Sequence, residues 1–286
     1  MNSIEKGRSR PAPPRPPAAE PAEGLNKNHH NYFVPGMQRG LEVLEAIGAA
    51  QEPLGTPEIA RRIGVSRSAA FRLIYTLRYM GFLEPDGESG RFTLGPRILN
   101  LGFAYLASMD IVERARPELE RLRDRTNVSA HLSIRNGAEV LYLSCIQTLT
   151  GFHSTLNVGA RLPAYASPMG WLLLSELSSR DLAALYGATR LQRLTDRTPA
   201  DLASLLQAVG EAGARGFVLS RGILEAGGSS IAAPVVGPDG KMAAAIDIAG
   251  PDSVFDFSEF ESRYLPEVQA AARAISARIG HAAPSA

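Results

Sequence analysis

The chain has 286 residues, 45% of them hydrophobic and 21% charged, and a formal net charge of +1. That is ordinary globular composition, and the length predicts two domains, each able to bury a core. No apolar run approaches the roughly eighteen residues of a membrane helix, and a single cysteine, Cys145, excludes an internal disulfide and fits a reducing cytoplasm.

Residues 1–30 are rich in proline, alanine and charge ("RSRPAPPRPPAAEPAEG") and carry little to bury. They read as a disordered, solvated tail. Lys6, Arg8, Arg10 and Arg15 are the residues in it that could graze a phosphate. The basic start has no apolar stretch behind it, so it is not expected to act as a secretory signal.

The next segment, "PGMQRGLEVLEAIGAA", sets Met37, Leu41, Leu44 and Ile47 at helical spacing. In "GTPEIARRIGVS", Thr56 is the expected N-cap, Pro57 the first helical residue, and Gly64 the stop. "SRSAAFRLIYTLRYMG" restarts behind Ser66 as a second N-cap and runs to Gly81. Two helices joined by a tight glycine turn form a helix-turn-helix.

Cations gather here. From Thr56 to Arg78 there are five arginines and one acid, and no acid stands between Glu58 and Glu84. At 100° per residue, Ala69, Ala70, Leu73, Ile74, Leu77 and Met80 share one side of the second helix. Arg67, Ser68, Phe71, Arg72, Tyr75 and Arg78 share the other. A solvated helix normally mixes in acids for pairing. An arginine face without them suits guanine edges and phosphates. A helix-turn-helix reads bases with the start of its second helix, here Ser66, Arg67, Ser68, Phe71 and Arg72. "FLEPDGESGRFTLG" then reads as strand, turn and strand, the wing of a winged helix. Arg91 is its natural phosphate contact, or faces water.

"PRILNLGFAYLASM", residues 96–109, is apolar nearly all round. Such a helix needs a cover, and a second copy of itself is the economical one. Beyond it, "VSAHLSIR" and "EVLYLSCIQ" form a hairpin about "NG". Cys145 in the second strand is expected to be a buried structural thiol. His131 in the first is expected to be structural, since no other histidine or acid has metal spacing. "YASPMGWLLLSEL" starts a helix behind Ser167, either a capped core helix or one whose free amides meet an anion. "FVLSR", "SSIAAPVV" and "MAAAIDIA" read as strands, with "GILEAGG" a loop between the first two. A final helix is kinked or delayed by Pro266. There is no G-x-S-x-G, Walker loop, G-x-G-x-x-G or H-E-x-x-H, so an enzyme is not expected.

From "MQRGLEVLEAI" through "GRFTLGPRILNLG", "VGARLPAYASPMGWLLLSEL" and "ARGFVLSRGILEAGGSSIAAPVVGPDGKMAAAIDIAGP" to the last helix, the chain resembles the IclR family of bacterial transcription regulators. The resemblance implies an α+β protein with a winged helix-turn-helix domain over 31–95 and a linker helix over 96–110. A GAF-like α/β effector-binding domain follows over 111–281, then a short tail, 282–286. It implies a homodimer or homotetramer that binds double-stranded operator DNA and a small metabolite, with RNA polymerase a candidate partner, no cofactor and no membrane. The runner-up is a winged-helix protein-interaction module without ligand control.

Family effector positions carried onto this chain are Pro168, Met169, Ser220, Ser230, Asp247 and Ala249. Several depart from the common pattern: small residues are usual at Pro168 and Met169, acids around Arg221, and serine at Asp247. Arg221 suits a carboxylate and Asp247 an amine or hydroxyl. Alternatively the two pair with each other, or strand-end amides hold Asp247. Phe152, Tyr165, Trp171 and Phe217 are candidate apolar wall. The expected effector is a small carboxylate that also carries a hydroxyl or amine, such as a hydroxylated aromatic acid or an amino acid.

Overall fold

The structure, a computed structural model, describes residues 29–50, 52–149 and 156–281. Residues 1–28, the tail 282–286 and Phe152 lie outside the described residues, while His29 and His30, read as the end of the disordered tail, are helical. The chain divides into two compact units that part between Asp110 and Ile111.

The first unit holds α1 (His29–Tyr32), α2 (Pro35–Gly48), β1 (Leu54–Gly55), α3 (Thr56–Ile63), α4 (Arg67–Tyr79), β2 (Leu83–Pro85), β3 (Arg91–Leu94) and α5 (Arg97–Ala107). Its sheet runs β1-β3-β2. Val43, Ile47, Leu54, Ile59, Ile63, Ile74, Leu83 and Phe92 form the core. Helix α2 therefore turns Val43 and Ile47 inward, while Met37 and Leu41, expected on the core stripe, are exposed. They sit at the edge of a stripe whose centre is set by contact with α3 and α4.

Helix α3 is capped one residue earlier than expected. Gly55 pairs with Arg91 in the sheet and is extended, so it is the N-cap and Thr56 the first helical residue. The Glu58 carboxylate reaches back to accept from the Gly55 N–H at 2.8 Å. That bond, above all, holds the Glu58 carboxyl below its usual range. Gly64 ends α3 with φ +69°, a left-handed conformation that suits glycine. Ser66 caps α4, its hydroxyl accepting from Ala69 N–H at 3.2 Å. On α4, Ala70 and Ile74 are buried, Ala69, Leu73 and Leu77 half-buried, and Met80 exposed rather than in the core.

The second unit holds α6 (Asp110–Thr126), β4 (Ala130–Asn136), β5 (Glu139–Ile146), β6 (Arg161–Pro163), α7 (Pro168–Leu174), α8 (Ser179–Tyr186), α9 (Leu202–Arg215), β7 (Val218–Arg221), β8 (Gly228–Val236), β9 (Met242–Pro251) and α10 (Leu265–Arg278). Six antiparallel strands run β6-β5-β4-β9-β8-β7. Residues alternate between faces. Val140, Tyr142, Val218, Ala232 and Ala245 pack with α7, α8 and α9 in one cluster. Ile231, Ala233, Val235, Ile246 and Ile248 are buried with the opposite parity, and α10 packs on β8 and β9. Glu118 of α6 accepts from Arg278 of α10 at 2.8 Å and from Arg121 at 2.6 Å.

Two local features set the position of α7. Ser167 caps it, its hydroxyl accepting from Gly170 N–H. Gly170 itself lies so close to Ala164 that a Cβ there would fall 2.2 Å from the Ala164 carbonyl oxygen. At the C-terminus, a 3₁₀ turn (Phe257–Glu259) and a wide turn (Phe260–Tyr264) precede α10, which begins one residue before Pro266. The proline thus delays the helix, its missing N–H harmless in a first turn.

Candidate functional site

The outward face of α4 carries Arg67, Ser68, Phe71, Arg72, Tyr75 and Arg78, all exposed. Phe71 and Tyr75 are 62% and 64% exposed, too much for packing to be their role in this chain. Among the described residues, the guanidinium groups of Arg67 and Arg72 make no ion pair or hydrogen bond. The Ser66 and Ser68 hydroxyls lie 3.1 Å apart at the start of the helix. Arg78 is fastened differently, its guanidinium 5.5 Å from the centre of the Phe92 ring on β3.

Arg91 does not stand as a free wing cation. It donates to the Pro53 carbonyl at 2.8 Å and to Glu58 at 3.4 Å. The reason is the register: Arg91 lies opposite Gly55, the cap of α3, so its side chain falls beside Glu58. Thr56 is half-buried in the first turn of α3. Arg97, which sequence reasoning passed over, donates to the Met80 carbonyl at 2.7 Å and covers the Phe82 ring. Helix α5 buries none of its residues, and Leu99, Leu101, Phe103 and Tyr105 are exposed.

In the second unit, strand register aligns the site residues in rows. Ser220, Ser230 and Ala249 are successive partners across β7, β8 and β9. The Ser220 and Ser230 hydroxyls are buried and 3.1 Å apart. The neighbouring row on the same face, about 7 Å away, runs Ala232, Asp247, His131, Cys145. The next holds Pro234, Ala245, Ser133 and Tyr142. Helix α7 lies across these strands. Its Met169 is buried, with Sδ accepting from the Ser133 hydroxyl at 3.2 Å. Pro168 is buried beside it.

Asp247 is almost fully buried, and its Oδ1 lies 2.8 Å from Nδ1 of His131. Neither strand-end amides nor Arg221 is its partner there. Burial pushes the Tyr142 hydroxyl well above the usual range, with the Asp247 charge adding to it. The same two causes push the Cys145 thiol up to about 12. Both side chains are therefore protonated near neutrality. The Tyr142 ring stands edge-on to His131, their centroids 5.7 Å apart.

Arg221 falls out of this set. Strand alternation puts it on the face opposite Ser220, where its partner in register is Ser229. It donates to Asp252 at 3.0 Å and lies over the Phe257 ring. Of the expected apolar wall, Tyr165 donates to the Gln192 carbonyl, Trp171 donates to the Tyr165 carbonyl, and Phe217 lies under Arg215. Among the described residues, no three of His, Cys, Asp and Glu are grouped to hold a metal. No helix in them is long and apolar enough to cross a membrane.

Sequence reasoning treated His131 as structural and missed Tyr142. Both are ordinary strand residues in local pattern, and only their neighbours across the sheet mark them.

Comparison with known proteins covers both units. Residues 36–87 match the IclR helix-turn-helix domain, and residues 103–277 match the C-terminal domain of bacterial transcriptional regulator IclR. The chain is 33% identical over 242 residues to the Pca regulon regulatory protein of Pseudomonas putida, covering 84% of this chain and 82% of that one. It is 34% identical over 218 residues to the HTH-type transcriptional regulator BhcR of Paracoccus denitrificans, covering 76% and 78%. A crystal structure from Rhodococcus sp. RHA1, described as that of a transcriptional regulator, superposes with a TM-score of 0.77 at 31% identity. It covers 86% of this chain and 98% of its own.

Proposed function

The chain belongs to the IclR family of bacterial transcriptional regulators, and on that premise we propose that a small organic molecule controls its binding to operator DNA. The exposed face of α4 supports the DNA half. Arginines, a hydroxyl and aromatic rings stand there with no acid among them and, among the described residues, no partner for the Arg67 or Arg72 guanidinium. Ser66, Arg67, Ser68, Phe71 and Arg72 read the major groove, Tyr75 and Arg78 flank it, and Thr56 approaches the backbone. Arg91 braces the wing.

The second unit supports the ligand half. Its sheet face beneath α7 gathers Ser133, His131, Asp247, Ser220 and Ser230 amid apolar side chains, more buried polarity than packing alone requires. Pro168, Met169 and Ala249 border that set. The effector is a small organic acid bearing a hydroxyl. The apolar α5 pairs with a second copy, which makes a homodimer or a homotetramer. The regulator works in the cytoplasm, where operator and RNA polymerase are met.

The observation that carries this reading is the exposed, acid-free face of α4, on which Arg67 and Arg72 have no partner among the described residues. Fluorescence anisotropy on a palindromic promoter fragment at two salt concentrations tests it. Affinity should fall steeply with salt, as counterions released from phosphates return. Absence of DNA affinity at low salt would sink the reading in favour of a protein-interaction module. A thermal-shift screen with small organic acids tests ligand control, since a bound effector raises the melting temperature by mass action.

A further inference from the structure

His131 is fully buried, yet its two ring nitrogens have unlike surroundings. Nδ1 faces the Asp247 carboxylate at 2.8 Å, whereas Nε2 meets no hydrogen-bond partner among the described residues. Buried polar atoms are satisfied almost everywhere in native proteins, because leaving one unpaired is costly. An orphan in the middle of a buried sheet face calls for a visitor that completes it.

Covalent geometry gives Nε2 its direction. Nδ1 is attached to the ring carbon that carries Cβ, and Nε2 stands one atom farther out. With Nδ1 turned sideways to β9, Nε2 projects from the sheet into the layer where α7 crosses β4 and β9. Ser133 lies beside it on β4 and Tyr142 one strand over on β5, while Ser230 and Ser220 stand two and three strands away on β8 and β7, one row along. These are the strands and the helix of the proposed ligand site.

Asp247 decides what Nε2 can recognise. Nδ1 stands 2.8 Å from a carboxylate oxygen, an acceptor, and so carries a ring proton. In the neutral imidazole Nε2 is then a bare acceptor. It selects a ligand that brings a donor. An ammonium brings three donors to a single acceptor and an aromatic amine two, whereas a hydroxyl brings one.

We propose that His131 Nε2 recognises the ligand of the C-terminal unit by accepting a hydrogen bond from its hydroxyl group, and that Asp247 is a positioning residue that holds the ring tautomer. The proposal rests on the ligand-control reading above. It moves donor recognition from Asp247, where the sequence placed it, to the histidine that Asp247 orients.

The test uses the full-length protein and matched sets of small acids in hydroxy, unsubstituted and amino form: 4-hydroxybenzoate, benzoate and 4-aminobenzoate; lactate, propionate and alanine. His131→Asn is the variant of choice, because its side-chain amide can take the place of Nδ1 toward Asp247 while Nε2 is deleted. Calorimetry should show one hydroxy acid binding at least about fivefold more tightly than both its counterparts, the cost of an unmatched buried acceptor. In His131→Asn that preference should fall below about twofold. A preference that survives in the variant, or favours the amino acid, overturns the proposal. Equal binding of all three forms overturns it and leaves ligand control standing. No binding by any hydroxy acid overturns it and removes the support for ligand control, with operator affinity unaffected as a result. Nitrogen-15 NMR of the imidazoles serves as the second measurement, whether or not His131→Asn folds. The chain has five histidines, and one should show an unprotonated Nε2 that moves on adding the hydroxy acid. In Asp247→Ala its proton should redistribute between the two nitrogens, and the preference for the hydroxy acid should fall with it; a preference that survives the redistribution overturns the positioning role. An Nε2 that is protonated, or silent to every hydroxy acid, overturns the assignment.

Discussion

Arg221 donates to Asp252 across 3.0 Å, while the adjacent Ser220 meets Ser230 on the other face of the sheet. The Ser229 hydroxyl also donates to Asp252, at 2.6 Å, and with Arg221 it holds the Asp252 carboxyl below the usual range. A carboxyl lowered in the folded state adds stability above its unfolded pKa and loses it as pH falls through the folded value. Arg221→Ala should therefore cost under about 1 kcal/mol at pH 7, since both side chains are partly exposed, and the difference from wild type should shrink near pH 3. Urea unfolding at the two pH values checks this. Ligand affinity should be unchanged, and a large loss in calorimetry would return Arg221 to the ligand site.

Arg72→Ala should weaken operator binding by about 1–3 kcal/mol if the guanidinium reads a base edge, with folding intact because Arg72 is exposed and unpartnered. A gel-shift titration with equal affinity for mutant and wild type would remove Arg72 from the interface. Arg67→Ala should act similarly. A loss uniform across DNA sequences would identify Arg67 as a phosphate contact.

No apolar residue of α5 is fully buried among the described residues. Ile98, Leu101 and Tyr105 should be covered by a second subunit, and the operator should be a near-palindrome. Light scattering at micromolar concentration should give at least a dimer. Leu101→Lys should lower the mass toward a monomer and weaken operator binding with it.

Gly170→Ala should destabilise the C-terminal unit, because the added Cβ would lie 2.2 Å from the Ala164 carbonyl oxygen and 2.6 Å from its Cα. Backbone must move to relieve that contact, at a cost of about 1–3 kcal/mol or more. Thermal melting would register it. A melting temperature equal to wild type would mean that α7 can shift freely against the preceding turn.

Asp247→Ala should cost about 1–3 kcal/mol, since it strips a buried imidazole nitrogen of its partner. Asp247→Asn retains an acceptor and should cost less. The ligand response should weaken in Asp247→Ala. Chemical denaturation ranks the two variants, and the reverse order would contradict the pairing of Asp247 with His131.

Much of the first unit follows from information local to the chain. The 100° periodicity of α4 separates Ile74 from Arg72 whatever surrounds them, and Gly64 and Ser66 end and start helices through their own backbone and hydroxyl chemistry. Five of the six strands of the second unit are equally legible, because alternation and turn residues act over a few positions, whereas the three residues of β6 are too few to alternate. What local patterns do not carry is the identity of neighbours. Helix α2 has a broad apolar side, and only contact with α3 and α4 selected Val43 and Ile47 over Met37 and Leu41. Arg91 reads as a free wing cation until register sets it opposite Gly55 and beside Glu58. Asp247 and Arg221 read as potential partners, but strand parity sends Arg221 to the far face and Asp252. Asp247 meets His131, 116 residues away, because β4 and β9 are neighbours in a sheet whose order is decided by how six strands and two layers of helix bury their apolar faces together.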